Sequence, residues 1–256
     1  VHLHFPDPLS CLSALLLPSS ARIVVSWHSD VIKQKAFLSF YQPLVDRLLG
    51  RSCAVVAATP GHFRDSKQLY VVPESNRHVV PYGIDVDSFA FSAETQKRAD
   101  AERAALGASF VVFAVGRHVY YKGFDRLIAA MAEVPEATLI LGGDGPLSSD
   151  LRQLALDLGV SNRVRFTGRI SEEDLHMYYH MCDAFCLSSI EKSEAFGLVQ
   201  AEAMSCGKPV VCFDLDNGVT YVNRHMQTGI VVPLGDVQEL ASALRKLCLD
   251  PVLRRT

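Results

Sequence analysis

Two carboxylates, Glu194 and Glu202, stand eight residues apart in the segment Glu194-Ala195-Phe196-Gly197-Leu198-Val199-Gln200-Ala201-Glu202. The first precedes a Phe-Gly-Leu turn, and the second falls on the second turn of a helix that opens at Leu198. Gly197 lets the backbone come close to a ligand, and free N–H groups at a helix start favour an anion. Glu202 lies among Leu198, Val199, Ala201, Ala203 and Met204. A carboxylate in such company is costly unless something pairs with it, and ligand hydroxyls would do so. A capped core helix with two surface acids would show the same spacing.

A second group is cationic. Arg117 and Lys122 follow the apolar run Phe110–Val115 and are framed by Gly116 and Gly123. Ligands of open α/β sheets bind just past the C-terminal ends of strands. There Arg offers a fork to phosphate oxygens and Lys a mobile point charge. Two solvated surface cations are the alternative. His28, in Trp27-His28-Ser29-Asp30, follows the run Ile23-Val24-Val25 and reads either as a ligand contact or as a core histidine after a strand. Two look-alikes fall away. Gly142-Gly143-Asp144-Gly145-Pro146 has Ser148 where a dinucleotide fingerprint needs its third glycine, and Lys122-Gly123 reverses the order of a P-loop with no Ser or Thr following.

Strand and helix signals alternate through the chain, which implies parallel sheets covered by helices. Residues 23–25, 54–57 and 78–80 read as strands, and Val31 to Leu49 as a long helix interrupted near Pro43. Ser92 to about Ala105 is polar and reads as linker, which places a boundary near residue 100: a partial N-terminal domain over 1–100 and a C-terminal one over 101–256. Within the latter, strands are expected at 110–115, 138–141, 164–166, 184–187, 209–212 and 230–232. Helices are expected at 124–132, 147–158, 172–180, 198–205, near 222, and at 237–247. That is a full doubly wound domain, whereas the first holds only about three strands.

Nearly half of the 256 residues are apolar, enough for a sizeable core, and the net charge of −3 without a basic tract argues against nucleic-acid binding. Seven cysteines (Cys11, Cys53, Cys182, Cys186, Cys206, Cys212, Cys248) form no C-x-x-C pair and read as reduced core residues of a cytosolic protein. The longest apolar run, Leu12 to Pro18 with its neighbours, is too short to span a bilayer. Asp214-Leu215-Asp216 has the spacing of a metal-binding pair, and no metal is expected there.

Taken together, these segments resemble the retaining glycosyltransferases of family 4. Glu194 to Glu202 is similar to their E-x7-E motif, and Val115 to Asp125 to their diphosphate-binding segment. Val79 to Asp85 resembles their interdomain segment and Trp27 to Asp30 their donor-side loop. The resemblance runs from Val1 to about Thr256 and implies the α/β GT-B fold of two Rossmann-like domains, the N-terminal one incomplete. Relatives have an earlier strand with a glycine-rich loop and a final helix that crosses back; neither is found here, and the chain is expected to be a fragment.

The resemblance further implies a role for each residue. Glu202 holds the ribose and Glu194 the hydroxyls of the donor sugar. Gly116, Arg117 and Lys122 receive the departing diphosphate, and the amides of Phe196, Gly197 and Leu198 face the sugar or its phosphate. Backbone at Arg169 and Ile170 meets the base, and His28 sits under the sugar. The leaving phosphate takes the acceptor's proton, so no general base is required. The implied reaction moves a hexose from a nucleotide diphosphate sugar, of GDP-mannose type, to a glycan or lipid-linked acceptor in cell-surface polysaccharide synthesis. No cofactor, metal or nucleic acid is implied. The implied location is cytoplasmic, with peripheral inner-membrane association of the full-length protein as a further expectation. A nucleotide-sugar-binding fragment without activity and a GT-B epimerase or hydrolase are the alternatives.

Overall fold

The computed structural model describes residues 1–31, 35–90 and 92–255. It divides into two compact units, Val1–Gly83 and Ile84–Thr256.

The first unit is a four-stranded parallel sheet in the order β1 (His2–Phe5), β2 (Val24–Trp27), β3 (Ala54–Ala57) and β4 (Arg77–Val79). Helices α1 (Pro8–Leu15), α2 (Lys35–Arg51) and α3 (Pro60–Asp65) connect the strands. Alternation along β2 buries Val25 and Trp27, which join Phe5, Val45, Leu48, Leu49 and Val55 in one core. Two expectations are corrected. Strand β1 is a fourth strand, and α2 runs on through Pro43 where an interruption was expected. A proline removes one backbone donor, and the apolar side chains of the following turns bury Val45, Leu48 and Leu49 beyond it. The expected start of this helix at Val31 falls partly on residues 32–34, outside the described residues.

The second unit opens with α4 (Ala93–Leu106), a helix capped by Ser92 and ended by Gly107 at φ 60°. The polar stretch expected as a linker is therefore helical, and the division of the chain falls upstream of it, between Gly83 and Ile84. With almost no apolar face, α4 is fixed by charge: Arg98 pairs with Asp174, and Arg103 reaches Asp183 at 2.7 Å and the Met181 carbonyl at 2.8 Å.

A six-stranded parallel sheet follows: β5 (Phe110–Val115), β6 (Ala137–Gly142), β7 (Val164–Gly168), β8 (Ala184–Leu187), β9 (Val210–Phe213) and β10 (Gly229–Val232). The spatial order is β10-β9-β8-β5-β6-β7. Helices α5 (Phe124–Ala132), α6 (Ser148–Asp157), α7 (Glu172–Met181), α8 (Leu198–Ser205), α9 (Gly218–Val222) and α10 (Val237–Leu249) cover both faces. Phe110, Val112 and Ala114 of β5 face one core with α5 and α10, while Val111 and Phe113 face the other with α7 and α8. The order reverses between β5 and β8, the switch point at which such sheets open a crevice.

Candidate functional site

The chain leaving β5 crosses the loop after β6 at close range. Gly116 N donates to Gly142 O at 3.1 Å, His118 N to Asp144 O at 3.0 Å, and Gly143 N to Gly168 O at 2.7 Å. A Cβ on Gly143 would lie 1.9 Å from Gly116 O, and Gly143 has φ 108°. The Gly-Gly-Asp-Gly run is thus demanded by the crossing of two loops. His118 is buried there and meets Ser148 Oγ through Nδ1 at 2.8 Å, which ties this loop to the start of α6. Burial pushes its pKa down.

A cleft of about 540 Å³ opens over this crossing, lined by Gly116, Arg117, Asp144, Arg169, Ile170 and Leu175 among others. Arg117 and Arg169 are exposed, and among the described residues neither makes an ion pair. Asp144 accepts from Ser148 Oγ and from Gly145 N, each at 2.8 Å, and these bonds hold its carboxyl below the usual range.

Lys122 ends a short 3-10 turn over Tyr120–Lys122 and points elsewhere. Its Nζ forms an ion pair with Glu194 Oε2, and Ser189 Oγ donates to the same oxygen at 2.9 Å. Both charged side chains are only 13% exposed. Backbone ties hold them in place. Ile190 N donates to Tyr121 O at 2.8 Å, Ser188 Oγ to Lys122 O at 2.9 Å, and Asn217 Nδ2 to Glu194 O at 2.8 Å. The carboxylate expected to await a ligand is thereby joined to the lysine expected to hold phosphate.

Past Phe196, which is buried, Gly197 adopts φ 68° and starts α8. A Cβ there would press on the side-chain tips of Leu187 and Gln200, at 2.7 and 2.8 Å, and the left-handed conformation itself favours glycine. Leu198 is exposed. Glu202 has a protein partner: Tyr179 Oη, fully buried in α7, donates to its Oε2 at 2.7 Å. Burial first, and then the Glu202 charge, push the Tyr179 pKa far above the usual phenol range.

His28 belongs to the other unit, just past the end of β2. It is half-buried, and both ring nitrogens are engaged: Nε2 with His4 Nδ1 at 2.8 Å, and Nδ1 with Tyr82 Oη. Burial, and after it the neighbouring His4, His2 and His62, hold its pKa below that of an ordinary histidine. Neither reading from sequence anticipated this cluster. His2-x-His4 was the available signal, because residues two apart on a strand share a face. Tyr179, Ser189 and Asp144 were likewise missed. Only Asp144 had a signal, in the turn residues that end β6.

The Asp214–Asp216 pair forms a local turn, Asp216 N donating to Asp214 Oδ1 at 2.9 Å. Among the described residues, no three His, Cys, Asp or Glu side chains converge as a metal site would, and no helix is long and apolar enough to cross a membrane. The seven cysteines are unpaired, and Cys53 is exposed, in contrast to the core position expected of it.

Two units with all-parallel, helix-covered sheets, the smaller of four strands and the larger of six, are those of the GT-B fold. The chain matches the crystal structure of HepE of Anabaena in complex with UDP with a TM-score of 0.83 at 24% identity, over 100% of this chain and 71% of that one. It belongs to the "Glycosyl transferases group 1" family, whose model matches residues 96–256; residues 1–88 match "Glycosyltransferase Family 4". It is 36% identical over 251 residues to the D-rhamnosyltransferase WbpZ of Pseudomonas aeruginosa, covering 98% of this chain and 64% of the relative. It is 32% identical over 247 residues to the O-antigen chain mannosyltransferase C of Escherichia coli, covering 96% and 65%. The chain thus spans just under two thirds of the length of either relative.

Proposed function

We propose that the chain is the donor-binding part of a metal-independent, retaining glycosyltransferase of cell-surface polysaccharide synthesis. It takes a hexose from a nucleotide diphosphate sugar of GDP-mannose type to a glycan or lipid-linked acceptor on the cytoplasmic side of the membrane. The second unit binds the donor and the first faces the acceptor. The mannosyl- and rhamnosyltransferase relatives support the sugar class.

The observation behind this reading is the arrangement at the strand ends of β5 and β8. Arg117 opens into the cleft without an ion-pair partner among the described residues, while Lys122 stands against Glu194. An ammonium group has three donors, so Nζ can bind Glu194 and still offer two to diphosphate oxygens. Fixed positive charge aimed at the departing diphosphate contributes on the order of 3 kcal/mol per group to the transition state. Glu194, anchored by Lys122 and Ser189, would then present its second oxygen to the sugar hydroxyls. Phe196, Gly197 and Leu198 supply backbone beside it, Glu202 takes the ribose, and Arg169 and Ile170 take the base. His28 is kept, on the resemblance alone, as the first unit's candidate for a sugar contact.

Calorimetric titration with GDP-, UDP- and ADP-sugars, with and without chelator, tests the reading. Binding of a GDP-hexose that survives chelation supports it. No binding of any nucleotide sugar, or binding that collapses with chelator, sinks it. Steady release of nucleotide with an altered sugar, in the absence of acceptor, would favour an epimerase or hydrolase instead.

A further inference from the structure

The first unit holds a connected group of polar rings that the reading above uses only at His28. Strands β1 and β2 pair in parallel, His4 against Ser26 and Phe5 against Trp27, and His28 N donates to Phe5 O at 3.1 Å. That register places the rings of His2, His4 and His28 in a row that runs from the first residue of β1 to just past the C-terminal end of β2. Centroids are 4.7 Å apart for His2–His4, 5.1 Å for His4–His28 and 5.7 Å for His28–Tyr82. His2 Nε2 meets Ser26 Oγ at 2.8 Å. His62, whose Nδ1 meets Thr59 Oγ1 at 2.8 Å, lies near the His28 backbone and near Asp30 and Asp65.

Hydrogen counting restricts what this row can be. A neutral imidazole has one N–H and one bare nitrogen. The contact between His4 Nδ1 and His28 Nε2 needs one hydrogen and not two, so one ring donates and the other accepts. Tyr82 Oη occupies the remaining nitrogen of His28. A half-buried phenol can donate or accept, but it is a much stronger acid than the N–H of a neutral imidazole, so the favoured arrangement has Tyr82 Oη donating to His28 Nδ1, which leaves the ring's single hydrogen on Nε2. That hydrogen points at His4.

We propose that Tyr82 and His4 are positioning residues for His28: Tyr82 Oη–H donates to His28 Nδ1, and His28 Nε2–H donates to His4 Nδ1, so the ring is locked in one tautomer and one orientation. Burial pushes the Tyr82 pKa up and the His28 pKa down, so both groups retain the neutral form this chain of bonds requires. The consequence for transfer rests on the function proposed above. A ring with both nitrogens engaged has none free for a sugar, and a hydroxyl reaching Nδ1 must displace Tyr82, whose own hydroxyl already stands there.

The test is nitrogen NMR of the histidine rings in the intact chain at neutral pH, with His28 assigned by its loss in His28→Gln. The expected result is His28 protonated on Nε2 alone, with Nδ1 showing the shift of a hydrogen-bonded acceptor. In Tyr82→Phe the Nδ1 resonance should move to the position of an unbonded ring nitrogen. In His4→Gln, which retains an acceptor, the Nε2–H tautomer should persist. A wild-type ring protonated on Nδ1, or an Nδ1 shift unchanged in Tyr82→Phe, overturns the proposal. If a variant does not fold, the wild-type tautomer decides by itself. Titrating the same samples with nucleotide sugars separates the two ideas. Failure to bind sinks the place of His28 under a sugar and leaves the ring assignment standing, whereas binding with the wrong tautomer sinks the assignment alone.

Discussion

Glu194 and Glu202 close the two ends of one nine-residue segment, yet the protein handles their charges differently. Glu194, on the loop side, is balanced by a cation 72 residues away, Lys122, and by the hydroxyl of Ser189. Glu202, on the helix side, has no cation among the described residues and receives a neutral phenol, Tyr179. An ion pair with little solvent is held by Coulomb attraction and breaks at high cost when one partner goes. A phenol donor to a carboxylate contributes less, and leaves the carboxylate its charge and its second oxygen for a ligand. On the proposed reading, the loop end is a brace and the helix end a socket.

The largest effect should come from breaking the brace. Lys122→Met leaves the Glu194 carboxylate, 13% exposed, with Ser189 as its remaining side-chain partner. We expect about 3 kcal/mol of lost stability in chemical unfolding. Adding Glu194→Gln to it should restore most of that loss, because no charge is then stranded. A single-variant loss near zero would show that solvent already screens the pair.

Ligand binding should separate the two ends next. Glu202→Ala should weaken free nucleoside diphosphate and nucleotide sugar equally, by about 1.5–3 kcal/mol for its charged hydrogen bonds. Glu194→Gln should leave nucleoside diphosphate affinity undiminished, since Lys122 no longer divides its charge, and cost about 1 kcal/mol in nucleotide-sugar affinity alone. Calorimetry of both variants with both ligands decides it. Equal losses at Glu194 would mean that its carboxylate meets the nucleotide.

What could be read from the chain itself follows the same division between local and distant. Strands such as Phe110–Val115 and Ala184–Leu187 are uninterrupted apolar runs because both faces are buried, and their positions are plain in the sequence. The loop-then-helix context of Glu194 and Glu202 is local, and was equally plain. Their partners were not, because nothing near residue 122 or 179 announces which carboxylate it will meet. Strand β1 escaped notice since His-Leu-His-Phe exposes two polar side chains on an edge and buries only Phe5. Helix α4 read as linker because its anchors, Asp174 and Asp183, are distant charges, and only Ala99 of its residues is buried. Periodicity reports apolar burial and has no view of charge pairing across 70 or more residues.

Removing the socket's own donor should have a smaller effect. Tyr179→Phe deletes one hydroxyl in a fully buried site and leaves Glu202 without that bond. About 1 kcal/mol of stability should be lost at neutral pH, with nucleotide affinity reduced less than tenfold, since the ring still packs against Phe89, Phe113 and Phe185. A loss as large as that of Lys122→Met would erase the contrast between the two ends.

Alkaline pH offers the finest test, because the sign of that difference should reverse. The folded state holds the Tyr179 proton far more tightly than the ordinary value of 10, owing to burial and then to the Glu202 charge. An acid whose folded pKa is raised contributes full stability below its unfolded pKa, and loses it as pH rises beyond that point, because only the unfolded chain releases the proton. Above pH 10 the wild type should therefore lose about 1.4 kcal/mol per pH unit from this group, a loss the Tyr179→Phe variant cannot suffer. The raised thiol pKa values of Cys182, Cys186 and Cys212 weaken both proteins alike and cancel in the comparison. Starting about 1 kcal/mol behind, the variant should overtake the wild type within about one pH unit above 10. Unfolding curves of the two proteins between pH 8 and 11 measure this directly. Parallel stabilities across that range would show that Tyr179 titrates as freely in the fold as in the unfolded chain, and that the Glu202 socket is open to water.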